Sequence, residues 1–147
     1  MAAAASTRPR VIIADDDAQF AEMVAALIEA DGRFEVVGVA ADGEEAVQLA
    51  TWQDPDVLLL DIEMPLVDGL TACRLVREAR PRICILMVSG GSPDRAQEAL
   101  DAGAAGYVDK VNAPESLLST VLALASRATA ALGSLAPCAA ERLLGSL

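Results

Sequence analysis

This chain contains no histidine. Imidazole is the one side chain that titrates near neutrality unaided, and it is the commonest metal ligand. Its absence excludes histidine general-base catalysis, histidine metal ligation and a histidine phosphocarrier role. Aromatic residues are scarce too, at 3% of 147 residues, so a core must come from Val, Ile, Leu and Ala. Cys73, Cys84 and Cys138 are odd in number and lack ligand spacing, which argues against a disulfide framework or a zinc site. Cys73 falls on an expected helix and Cys84 in an expected strand, where a thiol serves as a small hydrophobe. Positive charge is in short supply: 11 Lys and Arg stand against 22 Asp and Glu, a net charge of −11. Such a chain repels phosphate backbones, so no nucleic-acid partner is expected for it alone. No apolar run approaches the roughly 18 residues that cross a bilayer, so no membrane partner is expected either. MAAAASTRPR places Arg8 and Arg10 after small residues, the reverse of a secretory signal. Residues 1–8 read as a disordered leader, and a cytoplasmic location is the default.

What the chain does contain is a set of apolar runs, several of which end in a chemically useful side chain. VIIADDD ends in Asp15, Asp16 and Asp17, VLLLD in Asp61, ILMVS in Ser89 and AAGYVDK in Lys110. Short apolar runs bounded by turn signals read as buried parallel strands. They fall near residues 10–15, 35–40, 57–61, 83–89 and 105–109, with helical periodicity between them. Phe20, Met23, Val24, Leu27 and Ile28 follow one helical face that stops at Gly32. Asp42 and Glu45 form a capping-box pattern for a helix through Leu49, broken by Asp54-Pro55. Residues 68–79 form a looser helix ended by Pro81. Ser92-Pro93 opens another that stops near Gly103, and the last helix spans about 114–132. Strict alternation of this kind predicts an α/β fold with right-handed crossovers over residues 9–132. We expect a three-layer, doubly wound, five-stranded parallel sheet in the flavodoxin-like order 2-1-3-4-5, leaving 133–147 as a tail or linker remnant. Ligand sites in such sheets form beyond the carboxyl ends of the strands, so the acids, the hydroxyl and the amine should converge.

Clustered carboxylates suit Mg²⁺ or Mn²⁺, which takes oxygen ligands and is commonly held by one or two carboxylates plus phosphate. Asp61, beside a metal and an ammonium group, has the makings of a nucleophile that takes a phosphoryl group as an acyl phosphate. Taken singly, each residue has a plainer explanation. Asp15 to Asp17 would favour a helix N-terminus, Lys110 would be a solvated charge, and Ser89 a turn residue beside Gly90 and Gly91. It is the set in register that favours the site.

The motifs IIADDD, LLLDIEMPLVDG, LMVSGG and GYVDK, in that order, resemble the receiver domain of two-component response regulators over residues 9–131. The likeness is nearest to receivers of the DNA-binding LuxR/NarL-type branch, without an output domain. It implies that Asp61 is the phosphoacceptor and that Asp15 and Asp16 hold the metal, Asp16 directly and Asp15 largely through water. Glu63 is implied to lend a main-chain carbonyl to the metal, with Ser89 as the switch hydroxyl and Tyr107 as the aromatic that follows it. Lys110 is implied to pair with the phosphate, and Met64, Pro65 and Gly69 to shape the site loop. The implied partners are a sensor histidine kinase or a phosphotransfer protein. Val111 follows Lys110 where the family often has a cis proline, so a trans bond is expected here.

Competing functions stay open at this point: a phosphorylation-independent interaction module with a vestigial pocket, and two others. One is a receiver cut from a longer DNA-binding regulator. The other is an aspartate phosphatase of the haloacid dehalogenase type, for which Glu63 replaces the second Asp of the motif. A further expectation concerns the last helix, where Leu118, Val121, Leu122, Leu124, Ala125, Ala128 and Leu132 sweep about half the circumference. That exceeds the roughly 100° a one-sided helix needs; simple core packing by a generously apolar helix accounts for it, as would a flank that meets the C-terminal leucines or a homodimer through the last helices.

Overall fold

A computed structural model of the chain describes residues 8–90, 95–110, 119–121 and 123. Five strands alternate with four helices among these residues: β1 Arg10–Ala14, α1 Ala18–Asp31, β2 Glu35–Ala40, α2 Gly43–Gln53, β3 Val57–Asp61, α3 Gly69–Ala79, β4 Cys84–Ser89, α4 Arg95–Asp101 and β5 Gly106–Asp109. All neighbouring strands pair in parallel, in the order β2-β1-β3-β4-β5. The expected fold class is therefore the observed one. The cap at Ser92-Pro93, the Lys110–Val111 bond, residues 1–7 of the leader and the tail lie outside the described residues, as does the apolar sweep of the last helix except for Val121, which is fully buried in the core face shared with α1.

The period-2 alternation of a strand divides each buried run between two faces. Ile12, Leu58, Leu60, Ile85 and Met87 pack with Ala46, Ala50, Ala72, Cys73, Val76 and Ala99 of α2, α3 and α4. Val11, Ile13, Val57, Leu59, Cys84 and Leu86 face the other way, against Ala21, Val24 and Ile28 of α1. Both faces of β3 and β4 are covered, which is why every residue of those strands is buried. The small residues of α2 and α3 allow close approach and make up for the shortage of aromatics. Both described cysteines, Cys73 and Cys84, are buried, as expected of small hydrophobes.

Helix ends follow the cap chemistry. Gly32 adopts φ 83° and its N–H donates to the Glu29 carbonyl, the left-handed stop that glycine permits. Asp42 accepts from the Glu45 N–H at 2.8 Å, while Glu45 Oε1 accepts from Ala41 N rather than from the cap's own amide. The expected capping box is thus shifted by one residue at its return bond. α2 also runs on past Leu49 to Gln53, ended by Asp54 in the left-handed region at φ 49°. Asp17 caps α1, its carboxylate accepting from Gln19 N at 3.1 Å and Phe20 N at 3.2 Å. Asp17→Ala is expected to lower stability by about 1 kcal/mol, read as an earlier denaturant midpoint with unchanged slope.

Candidate functional site

At the carboxyl edge of the sheet, β1 leads into Asp15 and Asp16, β3 ends in Asp61, β4 ends in Ser89, and Lys110 directly follows β5. The sheet order places β1 beside β3, so the acids at their ends are neighbours. Carboxylate oxygens of Asp15, Asp16 and Asp61 all lie within 4.8 Å of one another. Asp15 and Asp61 are buried, at 3% and 4% exposure, whereas Asp16 is exposed and open to solvent ligands. Ser89 is fully buried, and its carbonyl accepts from the Lys110 N–H at 2.9 Å. That bond ties the start of the loop after β5 to the end of β4.

Lys110 stands over the acids but not evenly between them. Its Nζ is 2.7 Å from Asp15 Oδ2 and 3.5 Å from Asp61 Oδ2. Asp15 also accepts from the Asp17 N–H at 2.8 Å, so both of its oxygens are engaged. Asp61 has weaker support, with the Glu63 N–H reaching its Oδ1 at 3.3 Å. The electrostatic consequence is that Asp61 gives up its proton less readily than an ordinary carboxyl. Burial, and then the charge of Asp15, push its carboxyl from the usual 3.8 up to about 7; Lys110 and the Glu63 N–H oppose this, and Asp16 adds to it. Burial pushes the Lys110 ammonium down, but the hydrogen bond to Asp15 and the nearby charges of Asp61 and Asp15 outweigh it and raise the pKa overall. Among the described residues, Lys110 pairs with Asp15 and Asp61, while Asp16 adds a third carboxylate to the cluster. That excess of negative charge, on oxygen donors clustered at one edge of the sheet, fits a divalent cation.

The remaining expected site residues occupy graded positions. Met64 is buried in the core face shared by α2 and α3, while Pro65 is exposed and its carbonyl accepts from Val67 N. Gly69 is buried, and its N–H donates to the Ile62 carbonyl at 2.7 Å, folding the loop back on the end of β3. Tyr107 pairs in register with Met87 and packs, half-buried, on the core face shared by α2, α3 and α4. Glu63 is 68% exposed and reaches Arg95 of α4 at 3.6 Å. Three features had no sequence signal. Leu66 holds φ 68° in the site loop, Arg95 bridges Glu63 and Glu98, and the Phe20 ring lies under the Lys110 ammonium with the nitrogen 4.6 Å from its centroid.

The family model described as the response regulator receiver domain matches residues 11–122. The chain belongs to that family. As a receiver domain it is a phosphorylation-activated signalling module with the flavodoxin-like sheet described above. The receiver domain of NarL from Mycobacterium tuberculosis superposes with a TM-score of 0.77 at 34% identity, covering 82% of this chain and 98% of that one. The receiver of Thermotoga maritima CheB gives 0.69 at 31%, covering 84% and 96%. Among curated relatives, protein-glutamate methylesterase/protein-glutamine glutaminase 2 of Photobacterium profundum is 43% identical over 100 residues, 68% of this chain. This receiver spans only 25% of that relative's length. No helix of the described residues is long and apolar enough to cross a membrane.

Proposed function

We propose that Asp61 is the phosphoacceptor of this receiver, with Asp15 and Asp16 as its metal-binding acids and Lys110 as its phosphate-binding cation. The observation that carries this reading is the convergence of Asp15, Asp16 and Asp61 within 4.8 Å, with Lys110 bonded into the cluster. Mg²⁺ or Mn²⁺ would be held by these three acids and the Glu63 main-chain carbonyl, and when bound it supplies charge neutralisation for phosphoryl transfer. This chain's residues do the rest. Asp61 must lose its proton before an oxygen can attack phosphorus, and the new O–P bond forms as the donor's bond to phosphorus breaks. Lys110 then has a stronger anion within reach than the one it now shares with Asp15. Ser89, at the end of β4, would donate its hydroxyl to a phosphoryl oxygen. Tyr107 and the β4-α4 region would repack around that shift, changing a protein-binding face. A sensor histidine kinase or phosphotransfer protein would supply the phosphoryl group, in the cytoplasm.

On this reading the chain is a switch whose only chemistry is its own phosphorylation and dephosphorylation. A haloacid-dehalogenase phosphatase would need a second Asp where exposed Glu63 pairs with Arg95. A second reading is favoured by the coverage of one quarter of a methylesterase relative. There the receiver controls an attached effector, whether an enzyme of that kind or a DNA-binding domain, and the length of the native reading frame decides.

Incubation with acetyl phosphate and Mg²⁺ is expected to add a single phosphoryl group by intact mass. Asp61→Asn should show no adduct, and Lys110→Ala should accept the group without the conformational response. Equal labelling of Asp61→Asn and the unsubstituted chain would refute the assignment.

A further inference from the structure

We infer that Phe20 is a positioning residue that acts through Lys110, an inference that rests on the phosphoacceptor reading of Asp61. Lys110 is the only lysine in the chain, and its long stem leaves β5 with many rotamers open to it. Two sides of its ammonium are taken by Asp15 at 2.7 Å and Asp61 at 3.5 Å. A third is closed by the Phe20 ring, with Nζ 4.6 Å from the centroid. A cation at that distance from a ring face is attracted by the ring's quadrupole, and the attraction grows as water is excluded.

The ring does what neither a carboxylate nor an aliphatic side chain would do in its place. Another carboxylate would bind the ammonium too firmly for it to turn toward a phosphoryl oxygen. An aliphatic wall would exclude water but exert no pull. The aromatic face holds the cation over the acids while leaving its N–H groups for oxygen acceptors. Phe20 is itself held in place from two directions. Its amide donates to the Asp17 cap at the start of α1, and its side chain lines the same small cavity as Asp15, Asp61, Leu59 and Val88. The contrast with Phe34, at 2% exposure a plain core residue, is informative. Phe20 is only half-buried: it packs against the core face shared with α1 and also lines the pocket.

The test compares Phe20→Leu, which keeps the apolar bulk and removes the ring, with Phe20→Tyr, which keeps the ring. With acetyl phosphate at saturating Mg²⁺, Phe20→Leu should slow Asp61 labelling by roughly three- to tenfold, and Phe20→Tyr should stay near the unsubstituted rate. In a Lys110→Ala background, Phe20→Leu should produce no further slowing, because the ring then has no cation to hold. Equal slowing with and without Lys110 would overturn the proposal, as would equal rates for the Leu and Tyr variants. A second measurement needs no phosphoryl transfer. Lysine labelled with ¹³C at the ε position gives one side-chain signal here, whose methylene protons should be shifted upfield by the ring. Phe20→Leu should abolish that shift, and an unchanged signal would also overturn the proposal. Failure of the unsubstituted chain to label on Asp61 would instead count against the phosphoacceptor reading, with the ring-current result standing separately.

Discussion

In chelator, Asp61→Asn is expected to gain stability relative to the unsubstituted chain as pH rises from about 4 to about 7. The Asp61 carboxyl is raised from 3.8 to about 7, first by burial and then by the charge of Asp15. A raised folded-state pKa means that the folded protein holds this proton more tightly than the unfolded chain does. Asp61's contribution to stability is therefore fully present below about pH 4, falls as pH rises, and is lost once pH passes about 7. Asn carries no charge at any of these values. The gap between the two proteins should thus open through this window and then level off. Saturating Mg²⁺ should narrow the gap above pH 7, because a cation that binds the folded acids stabilises the folded state by mass action. Thermal unfolding across the pH range, with chelator and with Mg²⁺, measures both effects. Parallel pH profiles for the two proteins would show that Asp61 is not held protonated by its surroundings.

Gly69→Ala is expected to cost about 3 kcal/mol or more and to suppress Asp61 labelling at the same time. A Cβ at Gly69 would stand 2.0 Å from the Asp61 carbonyl oxygen and 2.6 Å from Ile62 Cα. Both obstacles are backbone, so no rotamer change relieves the overlap. The end of β3 or the start of α3 has to move, and Asp61 is the residue displaced. Gly32→Ala is the useful contrast. Gly32 has φ +83° and no atom near the position of a Cβ, so its penalty is conformational alone, about 1–2 kcal/mol, and remote from the site. Denaturant midpoints and acetyl-phosphate labelling of both variants separate the two effects. A Gly69→Ala protein no less stable than Gly32→Ala, with normal labelling, would mean that the site loop tolerates displacement.

Much of the site was legible because a buried parallel strand is an uninterrupted apolar run. A polar residue at the end of such a run is conspicuous, and Asp61, Ser89 and Lys110 all announced themselves that way. Cap chemistry was legible for the same local reason, as at Gly32 and Asp42. Phe20 was not, since its place in the Phe20, Met23, Val24, Leu27 pattern is shared with ordinary core residues. Its contact with Lys110 joins the first helix to the end of the last described strand, and no local pattern encodes that. Leu66 was missed too, because a leucine in the left-handed region contradicts its own preference and is held there by the loop around it.

Local order therefore came from the chain's own periodicities: where strands begin and end, which side chains terminate them, and that the sheet is parallel. Those depend on near neighbours and on burial, which residue type reports faithfully. The unequal sharing of Lys110 between Asp15 and Asp61, the raised pKa of Asp61, and the ring beneath the ammonium depend on distances between remote segments. Only packing two faces of one sheet brings those segments within a few ångströms, and at that range electrostatics are decided by geometry rather than by residue type.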